Sequence, residues 1–281
     1  MHLGYNTNGL AHHDPFDAVA LLGEIGYRSV AITIDHGAFP PGGRYLGQQL
    51  VRMRRLLGSF GMRSVIETGA RFLLDPRRKH EPTLLTADRI ARQRRLDFYR
   101  HAIDCAAELE SDCVSLWSGV LHDPVSDAAA IDRLVEGLEE VLAHAAGQGI
   151  VVGFEPEPGM LIDTMGRYEE LLRRIDTPNL RLTLDVGHLH CQGETPIPAQ
   201  VARWAPGLVN VHLEDMRAGV HEHLMFGQGE IDFPPVLQAF SEIGYTGGIH
   251  VELSRHSHEG PEAARRAFEF LSPLVERFKK V

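Results

Sequence analysis

Short apolar runs alternate with longer amphipathic stretches along the whole chain. The apolar runs predict strands at residues 2–7, 29–34, 63–68, 113–118, 151–156, 180–186, 208–215 and 247–254. Between them, apolar residues at helical spacing predict helices at about 14–25, 46–60, 87–109, 127–148, 164–175, 198–204, 234–243 and 260–279. The first helix has a start signal in Asp14 and Pro15 and a stop signal in Gly26. The chain is therefore predicted to repeat one strand–helix unit.

Eight such units follow one another without a break in composition. Strands that alternate with helices pair in parallel, and eight units in 281 residues match the size of a closed barrel. The sequence thus predicts an α/β fold, a single (β/α)8 TIM barrel over residues 1–281. An open doubly wound sheet is the alternative, and the absence of a GxGxxG turn after the first strand disfavours it.

The carboxyl ends of the last four predicted strands carry groups that bind metals. Catalytic residues of such barrels lie at these ends, and the residues found there are Glu155, Asp185, His212 and Glu252. One acidic residue at a strand end is usually a helix cap, but four consecutive strand ends favour a metal site. Carboxylates with one imidazole suit Mn²⁺, Mg²⁺, Co²⁺, Fe²⁺ or Zn²⁺, and the set does not choose among these ions.

Further polar residues follow the same strand ends. His188 comes three residues after Asp185, and Arg217 follows the seventh strand. A glycine-containing loop at 217–233 then carries His221 and His223. This loop is too polar for the core and too long for a minimal connection, so we expect it to fold over the site with at least one imidazole facing inward, His223 being favoured. The alternative is a solvated loop with both imidazoles in water.

The order of these motifs resembles the xylose isomerase-like barrel superfamily. Glu155 is followed by DVGH at 185–188, HLED at 212–215, a G-x-G-x-IDF segment at 227–233 and Glu252 in VEL. By site pattern the resemblance is strongest to ketose 3-epimerases and related sugar or inositol isomerases. It implies an isomerase or epimerase that acts on a sugar-like or inositol-like keto-polyol through a metal-stabilised enediolate.

The resemblance also implies a role for each matched residue. One divalent metal would be held by Glu155, Asp185, His212 and Glu252. Glu155 and Glu252 would in addition act as acid and base on opposite faces of the substrate. His188 and Arg217 would bind substrate oxygens. The physical logic is that a metal stabilises the enediolate, while two carboxylates remove and return the proton.

A more distant member of the superfamily is endonuclease IV, a three-metal phosphodiesterase that repairs DNA. Its added metals need histidines on the third and fourth strands, where this chain has Glu67 and Trp117. They also need an Asp-x-His pair, where this chain has His221 and His223. The partial match puts a trinuclear site in doubt and leaves a second metal open through Glu67 or His223. His223 is otherwise expected to bind substrate.

Composition limits the partners of the protein. A net charge of -10 gives no attraction for nucleic acid or anionic membranes, and no apolar stretch reaches the length of a spanning helix. Three cysteines without metal-type spacing and no signal peptide predict reduced thiols in a cytoplasmic protein. A small sugar-like substrate is the expected partner, and the resemblance implies that homo-oligomers are common. A lyase or dehydratase, a phosphodiesterase and a barrel that binds without turnover are the alternatives.

Overall fold

The computed structural model describes residues 1–175 and 177–278, and it shows eight parallel strands that close into a barrel. The barrel strands are β1 (His2–Asn6), β2 (Ser29–Thr33), β3 (Arg63–Glu67), β4 (Val114–Leu116), β5 (Val152–Phe154), β6 (Leu180–Asp185), β7 (Leu208–Leu213) and β10 (Gly248–Val251). The helices are α1 (Pro15–Ile25), α2 (Leu46–Phe60), α3 (Arg89–Leu109), α4 (Asp127–Gln148), α5 (Met165–Leu172), α6 (Val186–Cys191), α7 (Ile197–Trp204), α8 (Phe233–Glu242) and α9 (Gly260–Phe278).

The barrel closes because β1 pairs with both the second and the last barrel strand. Tyr5 lies opposite Val251 on one side and opposite Val30 on the other. Every other strand pairs with its neighbours in chain order, and every pairing is parallel. The predicted (β/α)8 barrel is therefore confirmed. Its extent over residues 1–281 stays a prediction, since 176 and 279–281 lie outside the described residues.

Helix ends follow the signals in the sequence. The Asp14 side chain accepts a hydrogen bond from the Phe16 amide at 2.9 Å and caps the start of α1. α1 ends at Gly26, whose φ of 122° suits glycine. The apolar faces of the helices pack on the strands, and the resulting core includes both aromatic and aliphatic residues. Among the described residues, no helix is both long and apolar enough to cross a bilayer.

Two short elements near the carboxyl ends of the strands depart from the prediction. An antiparallel hairpin occupies the start of the loop expected at 217–233. In this hairpin β8 (Asp215–Arg217) pairs with β9 (Val220–Leu224). The hairpin turns at Gly219, whose φ is 71°. The DVGH segment, expected only to turn, opens directly into α6. Position 279, the predicted last residue of the closing helix, lies outside the described residues.

A buried arginine secures the long loop between β3 and α3. Arg95 on α3 is fully buried, and its guanidinium donates to the carbonyl oxygens of Pro82 at 2.6 Å, His80 at 2.5 Å and Thr68 at 3.2 Å. It also lies 5.2 Å from the centre of the Trp117 ring. Three backbone acceptors, two of them on buried residues, thus depend on one side chain.

We expect Arg95→Met to lower the free energy of unfolding by about 3 kcal/mol, because it leaves three backbone carbonyl groups, two of them on buried residues, without this donor. The matched control is Arg55→Met on α2, since Arg55 is exposed and its loss should change stability by less than about 0.5 kcal/mol. Urea unfolding followed by circular dichroism measures both values. Equal effects of the two substitutions would show that Arg95 does not secure the loop.

Candidate active site

A cavity of about 630 Å³ opens at the carboxyl ends of the barrel strands. Its floor carries Glu67 at the end of β3, Glu155 directly after β5, His212 on β7 and Glu252 directly after β10. These residues are far apart in the sequence, and the closed barrel brings them together because parallel strands end at the same rim.

His212 lies at the centre of the floor. Its Nδ1 is 2.9 Å from Glu155 Oε1 and 2.9 Å from Glu252 Oε2. Asp185 Oδ2 is 3.9 Å from the same nitrogen. One ligand atom from each of Glu155, Asp185, His212 and Glu252 lies within 4.8 Å of all the others. The structure thus brings together the four residues that the strand ends predicted.

Asp185 combines the helix-cap role with a free oxygen. Its Oδ1 accepts a hydrogen bond from the His188 amide at 2.8 Å and caps α6. Its Oδ2 is buried and has no hydrogen-bond partner among the described residues. A buried carboxylate oxygen without a donor is costly, so this atom fits a position that faces a cation.

The donor set also fits a divalent metal. Three carboxylates, two of them buried and that of Glu252 half-buried, share a single imidazole, and this arrangement leaves excess negative charge in a site of low dielectric constant. Oxygen donors with one nitrogen suit hard or borderline divalent ions. A bound cation would offset the charge that the described side chains leave uncompensated.

The two carboxylates beside His212 differ in their protonation. Burial raises the pKa of Glu155 to about 8, although the charge of His212 opposes the rise. Burial also acts on Glu252, but the charge and the hydrogen bond of His212 outweigh it and lower the pKa of Glu252. Without a metal, the pair is therefore divided into one group that holds a proton and one that is ionised.

Glu67 contacts His212 from the opposite side of the ring. Glu67 Oε1 is 2.9 Å from His212 Nε2, and Asn210 Nδ2 donates to the same carboxylate oxygen at 3.2 Å. Asn210 Oδ1 is in turn 2.8 Å from Nδ1 of the buried His250. A carboxylate on the distal nitrogen fixes the tautomer and orientation of a ligating histidine.

A second metal through Glu67, which the sequence left open, stays a prediction, and the geometry favours another role for this residue. Glu67 belongs to none of the clusters of three or more candidate ligands found among the described residues. Its oxygen is directed at His212 because the ends of β3 and β7 face each other across the barrel. Glu67 is therefore placed to orient His212, the imidazole that Glu155 and Glu252 contact.

The hairpin brings both of its histidines to the site, as expected for at least one of them. His221 and His223 line the cavity. His223 Nδ1 is 3.1 Å from the backbone oxygen of Glu252, and the imidazole therefore donates from Nδ1 and leaves Nε2 free. The solvated alternative does not hold for this loop.

His188 lies one layer below the cavity. It is buried, it is not among the described residues that line the cavity, and its Nε2 is 3.1 Å from His221 Nε2. Its Nδ1 lies 3.2 Å from the Pro156 oxygen, and burial lowers the pKa of His188 to about 4. His188 is therefore neutral. The expected direct contact of His188 with substrate is corrected, because His221 covers it.

The three imidazoles also form a second cluster of candidate ligands. One ring nitrogen from each of His188, His221 and His223 lies within 4.8 Å of the other two. Glu157 Oε2 is 3.8 Å from His188 Nε2. The second metal that the sequence left open through His223 therefore has its potential ligands here.

Arg217 does not reach the cavity. It is exposed at the tip of the hairpin, where its Nη2 donates to the Gln228 backbone oxygen at 3.2 Å. The prediction that Arg217 binds substrate assumed that the chain stays at the mouth of the site after β7. The pairing of β8 with β9 carries it away from the cavity. Arg71 and Arg255 line the cavity in its place.

Sequence reasoning missed Asn8, which touches an acid of the floor. Asn8 Nδ2 donates to Glu252 Oε1 at 2.7 Å. Asn8 follows β1, so the rule that selected the ends of strands five to eight would have found it at the first strand. Arg71 follows the end of β3 in the same way. Arg255 comes three residues after Glu252.

Comparison with known proteins agrees with this architecture. A sequence model described as a xylose isomerase-like TIM barrel matches residues 19–274. The uncharacterized protein MJ1311 of Methanocaldococcus jannaschii is 30% identical over 190 residues, which are 65% of each chain. Inosose dehydratase of Lacticaseibacillus casei is 29% identical over 141 residues, 44% of this chain and 47% of that enzyme. The chain thus spans less than two thirds of the length of the first relatives it matches.

A third relative and the solved structures extend the comparison. L-ribulose-5-phosphate 3-epimerase UlaE of Shigella flexneri is 22% identical over 203 residues, 71% of this chain and 70% of that enzyme. A structure of L-ribulose 3-epimerase aligns with a TM-score of 0.79 at 16% identity, covering 99% of this chain and 95% of the other. The IolI protein, solved with a zinc atom, aligns with a TM-score of 0.79 at 18% identity over 100% of both chains. These structural matches establish the fold.

A buried carboxylate holds the segment that follows the hairpin. Asp215 accepts hydrogen bonds from the backbone amides of Gly227 at 2.8 Å, Gly229 at 2.9 Å and Ile231 at 3.2 Å. A Cβ atom added at Gly229 would lie 2.3 Å from Asp215 Oδ1. Asp215 of the HLED motif therefore binds the backbone amides of the G-x-G motif directly.

We expect Gly229→Ala to lower the free energy of unfolding by about 3 kcal/mol, because the new methyl group displaces the Asp215 carboxylate. Gly207→Ala is the matched control, since a Cβ there meets no atom within 4 Å. Urea unfolding measures both variants. A Gly229→Ala protein as stable as the Gly207→Ala protein would contradict the anchoring role of Asp215.

Proposed function

The chain belongs to the xylose isomerase-like TIM barrel family, and on that premise we propose that it is a divalent-metal-dependent isomerase or epimerase of a sugar-like or inositol-like keto-polyol. The observation that carries the proposal is the position of His212 Nδ1 between Glu155 and Glu252 at the floor of the cavity. Two carboxyl groups beside one candidate ligand can remove a proton from a carbon beside a carbonyl and return one to it.

Sugar-epimerase and inosose-dehydratase names among the relatives support this substrate class. The zinc atom in the IolI structure supports a divalent metal as the cofactor. We propose that Glu155, Asp185, His212 and Glu252 hold the ion. When bound, a divalent cation would act as a Lewis acid for the negative charge that develops on the substrate oxygens.

We assign the proton transfer to the two glutamates. An ionised glutamate removes the proton from the carbon beside the carbonyl, and the other, protonated, returns a proton to the opposite face. The configuration at that carbon is then inverted. Return of the proton by the first glutamate would instead restore the original configuration, so the outcome depends on having an acid on each face.

The remaining cavity residues would fix the pose of the substrate. His221 and His223 offer ring nitrogens to substrate hydroxyl groups, and His188 supports His221 from below. Asn8 orients Glu252 through its amide. Trp117 contributes an apolar wall. Such positioning lowers the entropy cost of bringing the reacting carbon to the base.

A dehydratase is the second candidate, and the resemblance to inosose dehydratase favours it. Both reactions begin when a proton leaves the carbon beside the carbonyl. They diverge afterwards, because an epimerase returns the proton while a dehydratase expels a hydroxyl group from the next carbon.

We expect the Mn²⁺-loaded protein to exchange this carbon-bound proton when ketoses, inososes and their phosphates are screened in D2O by NMR. Deuterium in an epimer identifies an epimerase, and loss of a hydroxyl group identifies a dehydratase. Glu155→Gln and Glu252→Gln should each lower the exchange rate at least about 100-fold, since each removes an acid or base. Chelation of the metal should also abolish exchange.

The matched control for the glutamates is Glu169→Gln on the surface of α5, where the side chain is 41% exposed. It should exchange like the wild type. Wild-type rates in Glu252→Gln would remove the two-carboxylate mechanism. Specific cleavage of duplex DNA at an abasic site, lost in Glu252→Gln, would support a phosphodiesterase.

We expect Glu67→Ala to weaken metal binding about 10- to 100-fold without changing its stoichiometry, because an orienting partner of a ligand is lost. Glu67→Gln, which keeps an acceptor oxygen for His212, should retain more of the affinity. Calorimetric titration with Zn²⁺ measures affinity and stoichiometry together. Loss of one full equivalent in Glu67→Ala would restore Glu67 as a ligand.

The same titration tests the second cluster. One equivalent per chain assigns His221 and His223 to the substrate. Two equivalents, of which one disappears in His223→Ala, would make the three imidazoles a second metal site.

A further inference from the structure

The charges that line the cavity are separated along its depth. Its carboxylates lie at the floor, on Glu67, Glu155, Glu157 and Glu252. Its permanently charged cations lie at the mouth, on Arg71, Lys79 and Arg255. The side chain of Glu155 is 6% exposed, whereas that of Arg255 is 58% exposed. A ligand that enters therefore meets positive charge first and negative charge last.

Arg71 is held at the mouth by unusual backbone geometry. Both Ala70 and Arg71 have positive φ values, 56° and 34°, which non-glycine residues rarely adopt. The Arg71 backbone oxygen accepts a hydrogen bond from the His80 amide at 2.6 Å. Strained residues of this kind persist where the surroundings fix them, and they concentrate at functional sites. The strain here turns an arginine into the cavity.

All three cations keep N–H donors free for a ligand. Arg255 pairs with Glu222 at 3.2 Å, and Arg71 lies 3.5 Å from Asp35. Neither acid is among the described residues that line the cavity. Each arginine also donates to a backbone oxygen, Arg71 to Asn8 at 2.9 Å and Arg255 to His221 at 3.5 Å. A guanidinium has five N–H donors, so two acceptors leave others available. Lys79 is exposed and has no hydrogen bond or ion pair within the described part of the chain.

Asn8 connects the cationic mouth to the acidic floor. Its backbone oxygen accepts from Arg71 Nη2 at 2.9 Å and from Ser257 Oγ at 2.8 Å. Its side-chain amide donates to Glu252 Oε1 at 2.7 Å. The Arg71 guanidinium and the Glu252 carboxylate thus both bind Asn8, so cationic mouth and acidic floor meet at one residue.

We propose that the substrate carries an anionic group, a phosphate or a carboxylate, at the end remote from the reacting carbon, and that Arg71, Arg255 and Lys79 bind it. This inference rests on the proposed function for the identity of the reacting end. The arrangement also sets direction, because an anion at the mouth is stabilised while the same anion among the floor carboxylates is repelled. A protein of net charge -10 would otherwise repel such a substrate.

The test compares three unreactive ligands of the full-length, metal-loaded protein by calorimetry: an alditol, its terminal phosphate and the corresponding aldonate. These compounds lack the ketone, so their binding does not depend on turnover. We expect the phosphate or the aldonate to bind at least about 10-fold more tightly than the alditol, as charge-assisted hydrogen bonds predict. Which of the two gains more identifies the anion.

Arg71→Gln and Arg255→Gln should each reduce this preference by about 10-fold, and Arg71→Lys should retain part of it. Arg217→Gln is the matched control, because it removes the same charge from an exposed arginine outside the cavity. Thermal unfolding confirms that each variant folds, and Arg255→Gln serves as the test if Arg71→Gln is unstable.

Equal affinity for charged and neutral ligands would overturn the inference, as would an anion preference that survives in both cavity variants or falls equally in Arg217→Gln. The two proposals fail separately. Exchange on neutral ketoses without an anion preference would leave the proposed function intact and remove the anion site. Tight, arginine-dependent binding of the alditol phosphate without exchange on any ketose would support the anion site and contradict the proposed function.

Discussion

Three carboxylates that face one imidazole, two of them buried, form the constraint on which the rest of the structure depends. The described residues leave Asp185 Oδ2 without a hydrogen-bond partner and place Glu155 and Glu252 against the same nitrogen of His212. Such a site is stable only with a proton or a cation in it. The scaffold around it therefore has to hold the donors in place against their mutual repulsion.

The scaffold does so with buried polar contacts inside the barrel. Glu67 accepts from the distal nitrogen of His212, Asn210 donates to the same Glu67 oxygen, and His250 holds Asn210. His250 on β10 contacts Ser29 on β2, the strand on the other side of β1, at 2.8 Å. Each member of this chain is buried and hydrogen-bonded, so it orients the ligands without leaving a polar group unsatisfied.

Much of this could be predicted from the sequence, because hydrophobic periodicity and strand order are local signals. The eight strand–helix units follow from them, and the strand-end rule then groups Glu155, Asp185, His212 and Glu252. Side-chain direction in loops could not be predicted. Arg217 turns away because β8 pairs with β9, His188 is covered by His221, and Glu67 is directed at a histidine 145 positions away. Those outcomes depend on tertiary contacts that no local pattern encodes.

The hairpin has no strand pairing with the barrel, since β8 and β9 form a sheet of their own. Its histidines line the cavity, whereas the groups assigned to proton transfer lie directly after barrel strands. Substrate contact and proton transfer are thus assigned to different parts of the chain. Substitutions in residues 218–224 therefore leave the barrel strands unchanged, and they reach the floor through the contact of His223 Nδ1 with the Glu252 backbone oxygen. Proteins of this fold can therefore differ in the substrate they accept while they keep the same reaction.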